Sequence, residues 1–120
     1  MKRSIALIAL LTSLAAKGSG LPPPLPPGQY TFQHKFSEQP ALPSTPLRAQ
    51  INGFHIVLIN KTSSAVFPRG VIAEGTLMWH AASGQWIIGH SDSDRYARLV
   101  GGCSDGPEVV DLVQKIYWTC

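Results

Sequence analysis

A mainly β fold, a small antiparallel β-barrel or β-sandwich of six to seven strands, is what this sequence predicts, and three observations predict it. Short runs of alternating apolar and polar residues recur along most of the chain. Clusters of Gly, Pro, Asn, Asp and Ser separate those runs at short intervals, as turns do. An Asn-Gly pair, Asn52-Gly53, stands between two of the runs, the strongest short-range signal for a hairpin.

The first residues belong to no strand. Lys2 and Arg3 precede an apolar run from Ile5 to Ala16 broken only by Thr12 and Ser13, after which the chain turns polar at Lys17. A charged start, a short apolar stretch and a small-residue exit make a secretory signal peptide, expected over residues 1–16 with cleavage near Ala15 or Ala16. The run falls short of the ~20 residues a membrane-spanning helix needs, so no membrane span is expected after cleavage. The signal holds two of the ten basic residues, which leaves eight Lys and Arg against seven Asp and Glu, scattered singly. Such a surface has no clustered basic face, and a nucleic-acid partner is not expected.

Residues 17–28 read as an extended leader: Gly18 to Gly28 holds five prolines and no periodicity that would bury a face. A single β-rich domain is expected over residues 29–120. At about one hundred residues it buries a smaller share of its surface than a larger domain does, so a covalent staple is of use. An exported chain with two cysteines supplies one, a disulfide between Cys103 and Cys120.

Within the domain, Tyr30, Phe32, His34 and Phe36 alternate with polar neighbours and form the first strand. The prolines at 40, 43 and 46 mark a loop over Ser37 to Pro46. Asn52-Gly53 as a type I′ turn sets Ile51 opposite Phe54, Ala49 opposite Ile56 and Leu47 opposite Leu58, all on one side of the sheet. After a loop over Lys61 to Pro68, Val71, Ala73, Gly75, Leu77 and Trp79 share a face of a long strand, with a bulge or corner expected at Gly75. Gln85 to His90 returns as a strand, Ser91 to Asp94 is a turn, and Tyr96 to Val100 is a further candidate strand. The tail carries Val109, Val110, Leu112, Val113, Ile116 and Tyr117 at helical spacing behind Asp105-Gly106-Pro107-Glu108. The segment is also rich in β-branched residues, which suit a strand, so both readings stand; the helical spacing favours a short helix or helical turn near Pro107 to Val113, then a strand from Lys115 to Cys120.

Few residues point to chemistry. Gly102-Cys103-Ser104-Asp105-Gly106 matches the G-x-S-x-G pattern of a hydrolase nucleophile, yet no histidine follows Ser104 and the large α/β context is missing. The residues read as a glycine-rich turn beside a disulfide. His34, His55, His80 and His90 have no short ligand spacing, and Asp92, Asp94 and Asp105 lack the calcium-loop pattern. No metal, no cofactor and no catalytic residue is assigned.

What remains is aromatic. Trp79 and Trp86 flank one turn and Trp118 lies beside the terminal cysteine; with His80 they are the candidate contacts to a partner or ligand. The architecture is similar in general outline to lipocalin-like and avidin-like small barrels, a likeness that carries no function. The expectation is a secreted or periplasmic, non-enzymatic binding protein, of inhibitor, immunity or envelope-accessory type, that contacts another exported or envelope protein. The alternative is a carrier holding a small apolar ligand inside the barrel.

Overall fold

Seven strands follow one another as a meander: β1 (Gly28–Phe36), β2 (Thr45–Asn52), β3 (His55–Asn60), β4 (Gly70–His80), β5 (Gln85–Gly89), β6 (Glu108–Asp111) and β7 (Ile116–Thr119). The computed structural model describes residues 22–120; the signal peptide expected at residues 1–16 and the start of the expected leader lie outside the described residues. Each strand pairs antiparallel with the next, and β7 closes the ring against β1, so the sheet is one closed barrel rather than two stacked layers. An up-and-down meander of odd strand number brings its first and last strands together pointing the same way. The closing pair is accordingly parallel, from Gln33 opposite Ile116 to Phe36 opposite Thr119.

The alternation of β1 and β2 fills the ring. Phe32 lies opposite Leu47 and Tyr30 opposite Ala49, while Arg48, Gln50 and Thr31 face water. Ile56 and Leu58 of β3, Leu77 of β4, Ile88 of β5, Val110 of β6 and Tyr117 of β7 complete one cluster of buried side chains. A barrel of so few strands has an interior of about the width that side chains fill. The end of the leader takes part as well: Leu25 packs against this cluster, and the Tyr30 hydroxyl donates to the Pro26 carbonyl at 2.5 Å.

Four local expectations change. The β2–β3 hairpin pairs Asn52 with His55 and Ile51 with Ile56, so the two-residue loop is Gly53-Phe54 and the register is two residues from the expected one. Gly53 has φ +66° and is the turn residue held in the left-handed region, which a type II′ turn requires at its first central position and a type I′ turn at both. A shift of two preserves the faces, so Leu47, Ala49, Ile51, Ile56 and Leu58 still point inward.

The bulge in β4 falls at Ile72, not Gly75: Leu58 pairs with Ala73 and Ile59 with Val71, which leaves Ile72 as the extra residue. The bulge turns Val71 outward, where it is exposed, instead of leaving it on the face of Ala73 and Leu77. Gly75 answers a different need, since a Cβ there would lie 2.7 Å from the Gly89 carbonyl oxygen.

Tyr96 to Val100 is not a strand. A 3-10 turn covers Asp92–Tyr96, and Ala97 onward runs irregularly. The helix expected near Pro107 to Val113 is instead strand β6, followed by a tight turn at Lys115, φ +60°.

These last two segments explain each other. Residues 91–107 cross the outer wall of β4 and β5, where Met78, Ile87 and Val109 form a second buried cluster with Val100 and Trp118 packed against it. Val109 points out into that layer and Val110 in towards the barrel. Cys103, in the crossing segment, is joined to Cys120 just past β7, with the Cα atoms 4.6 Å apart.

Candidate functional site

One end of the barrel brings together two of the four candidate contact residues. Trp79 and Trp86 are directly opposite on β4 and β5, and their rings meet edge to face with centroids 5.5 Å apart. That arrangement sets the positive edge of one indole against the negative face of the other. Trp86 packs on the inner cluster, whereas Trp79 is 38% exposed. The pair therefore has a half-buried foot against the core and an open side at the rim. Lys115 lies 5.7 Å over the Tyr30 ring, a cation held on an aromatic face.

His80 is not part of that open surface. Its neighbour Trp79 faces inward, so His80 faces the outer wall, and it is only 2% exposed. Its ring is a clamp: Nε2 donates to the Ala97 carbonyl at 2.7 Å, which leaves Nδ1 to accept from the Ser83 hydroxyl at 2.7 Å. The clamp ties the Ala81–Gly84 turn to the crossing segment. Trp118 is on the outer wall too, under Val100, and the structure does not bring it together with Trp79 and Trp86.

At the other end His34 is buried inside the barrel, edge-on to Phe36 and Phe67 at 4.6 and 4.7 Å, with Nε2 2.7 Å from the Thr119 hydroxyl. This bond crosses the parallel β1–β7 seam. Burial holds the His34 pKa below the ordinary value of 6.5. Below that value the unfolded chain takes up a proton that the folded chain refuses, so the stability present above pH 6.5 declines as pH falls through and below it. The urea midpoint is expected to drop between about pH 7 and about pH 5, and His34→Gln is expected to flatten that dependence. Equal slopes in both proteins would contradict this reading. Nearby, the Tyr117 hydroxyl donates to the Glu108 carboxylate, and burial together with that acceptor raises the phenol well above its usual value.

A cleft of about 520 Å³ opens beside the disulfide, lined by Asp94, Asp105, Glu108, His90 and the glycine-rich turn. Its polar groups are largely committed within the fold. Asp94 accepts from the amides of His90 and Ser91 at 2.7 and 3.3 Å, and Glu108 from Tyr117. The Ser104 hydroxyl donates to the Gly101 carbonyl at 2.7 Å and accepts from the Gly106 amide at 3.3 Å, so it caps its own turn. Among the described residues no group of three or more His, Cys, Asp or Glu side chains is placed to hold a metal ion.

Sequence reasoning missed His80 as a clamp, since the carbonyl it serves comes from a segment seventeen residues on. It also missed the exposed run from Arg95 to Leu99 that the clamp holds in place. No protein-family model, curated protein or solved structure matches this chain.

Proposed function

We propose that this chain is an exported, non-enzymatic binding protein, secreted or periplasmic, that contacts another exported or envelope protein through the barrel rim at Trp79 and Trp86. The signal-like residues 1–16 and the Cys103–Cys120 pair support export, because disulfides persist in oxidising compartments. The observation that carries the reading is the half-open tryptophan pair: a half-buried indole packed against the core beside one presented to solvent. Interface hot spots are built this way, from rigid aromatic anchors whose ordering cost has already been met by the fold.

Carriage of a small apolar ligand inside the barrel has less support. Phe32, Ile56 and Leu58 are fully buried in the interior, and a ligand there would have to displace side chains of this kind.

Native mass spectrometry of the mature chain, purified gently from the compartment to which its cell exports it, tests the reading. The expected result is a co-purifying protein whose affinity falls by about thirtyfold or more in Trp79→Ala, the scale of a hot-spot residue. A small bound mass in its place would favour the carrier. A protein partner held equally well by Trp79→Ala would remove the rim from the account.

A further inference from the structure

The segment clamped to the outer wall presents a contact surface of its own. Arg95, Tyr96, Arg98 and Leu99 are all exposed, Tyr96 at 82% and Leu99 at 54%. In a loose loop such exposure has no meaning, but this segment is held along its length. The Asp94 carboxylate takes the His90 and Ser91 amides at its start, the Ala97 amide bonds the Asp94 carbonyl at 3.1 Å, and the Ala97 carbonyl is held by His80. Val100 then packs on the outer cluster, and the disulfide follows at Cys103. Between those anchors Tyr96, Arg98 and Leu99 point away from the body of the protein.

Neither guanidinium is in ion-pairing contact with a carboxylate among the described residues. The carboxylate adjacent to Arg95 in the chain, that of Asp94, is turned to the His90 and Ser91 amides instead. Two unpaired arginines around an aromatic ring on a fixed backbone call for a surface of opposite charge with an apolar centre. The patch is too small for the other anionic surfaces: stable membrane anchoring takes a long acyl chain or a sizeable apolar face with several cations, and a nucleic acid takes many phosphate contacts.

We infer that Arg95, Tyr96 and Arg98 recognise an acidic protein surface, the two guanidiniums pairing with carboxylates that flank an apolar contact on Tyr96. This rests on the binding-protein reading and names the chemistry of its partner. The surface adjoins the tryptophan rim, since Ala97 is bonded to His80, the residue after Trp79. One partner can therefore meet both.

The test uses the exported chain with its disulfide formed, labelled for NMR, and three probes: a peptide alternating Glu and Leu, the same peptide with Gln for Glu, and vesicles of phosphatidylcholine with phosphatidylglycerol. The Glu peptide is expected to shift the resonances of Arg95 to Leu99, with binding that weakens as salt is added. Arg95→Gln with Arg98→Gln is expected to weaken it about tenfold; both positions are solvent-exposed, so the fold should be retained. Equal shifts with the Gln peptide, binding to the vesicles in preference to the peptide, or no shift with either would overturn the inference. The protein complex seen by mass spectrometry separates the two readings. A partner lost in Trp79→Ala but fully retained by the double arginine variant refutes the acidic-surface inference and leaves the binding protein standing.

Discussion

Replacing Cys103 and Cys120 by serine is expected to lower the stability of the chain by about 3 kcal/mol, the scale of closing a loop of this length in the chain-entropy account. The two cysteines are 17 residues apart and their bond joins the crossing segment to the end of β7. The loss should be uneven. The inner cluster has its own contacts and keeps its order, whereas the outer layer of Met78, Ile87, Val109 and Trp118 loses the tie that keeps residues 91–107 over it. Urea unfolding of the oxidised and serine forms measures the size, and a red shift of tryptophan emission before the main transition marks the outer layer. Equal midpoints would mean that the segment is held by His80 and Val100 alone.

Phe32→Ala is expected to cost about 3–5 kcal/mol, the usual result of emptying a large aromatic side chain from a packed core. Phe32 is fully buried at the middle of β1, opposite Leu47 and within the inner cluster. Small domains have about 5–15 kcal/mol in all, so the variant should unfold at much lower urea or fail to accumulate. Thr31→Ala on the exposed side of the same strand serves as the control and should change stability by about 0.5 kcal/mol or less. A Phe32→Ala protein within about 1 kcal/mol of the parent would show that the barrel interior is not the main source of stability.

How far the sequence reveals this fold depends on how many faces of a strand are covered. Strands β1 and β2 have one face on the core and one in water, so Phe32 and Leu47 stand out against Thr31 and Arg48. Strand β6 lacks that contrast. Val109 is buried outward and Val110 inward, and with Leu112, Ile116 and Tyr117 they make an apolar run whose spacing imitates a helix. The cover that buries Val109 comes from elsewhere in the chain and has no local signature. The hairpin shows the opposite case: the turn residue and inward faces were readable, but the pairing was not. Asn-Gly favours a turn in which both residues have positive φ, and here the glycine alone adopts it.

The candidate site divides in the same way. Trp79 and Trp86 were recognisable as a pair because a short turn places their strands side by side. His80 stands next to them in sequence, yet strand alternation turns it to the outer face of β4, where it holds Ala97. The Arg95 to Leu99 surface depends on that long-range hydrogen bond and on the disulfide, so no pattern within the run itself announces it.

Amide hydrogen exchange of the oxidised chain reports whether residues 91–107 form a fixed outer layer clamped to the barrel wall. The amides of Asp94, Ala97 and Gly101 donate to the Ser91, Asp94 and Pro107 carbonyls, and they are expected to exchange slowly and to become fast on reduction while the β1–β3 amides stay protected. Coil-like exchange of those three amides in the oxidised protein would mean that the layer is not fixed, and would remove with it the surface that the clamp is held to present.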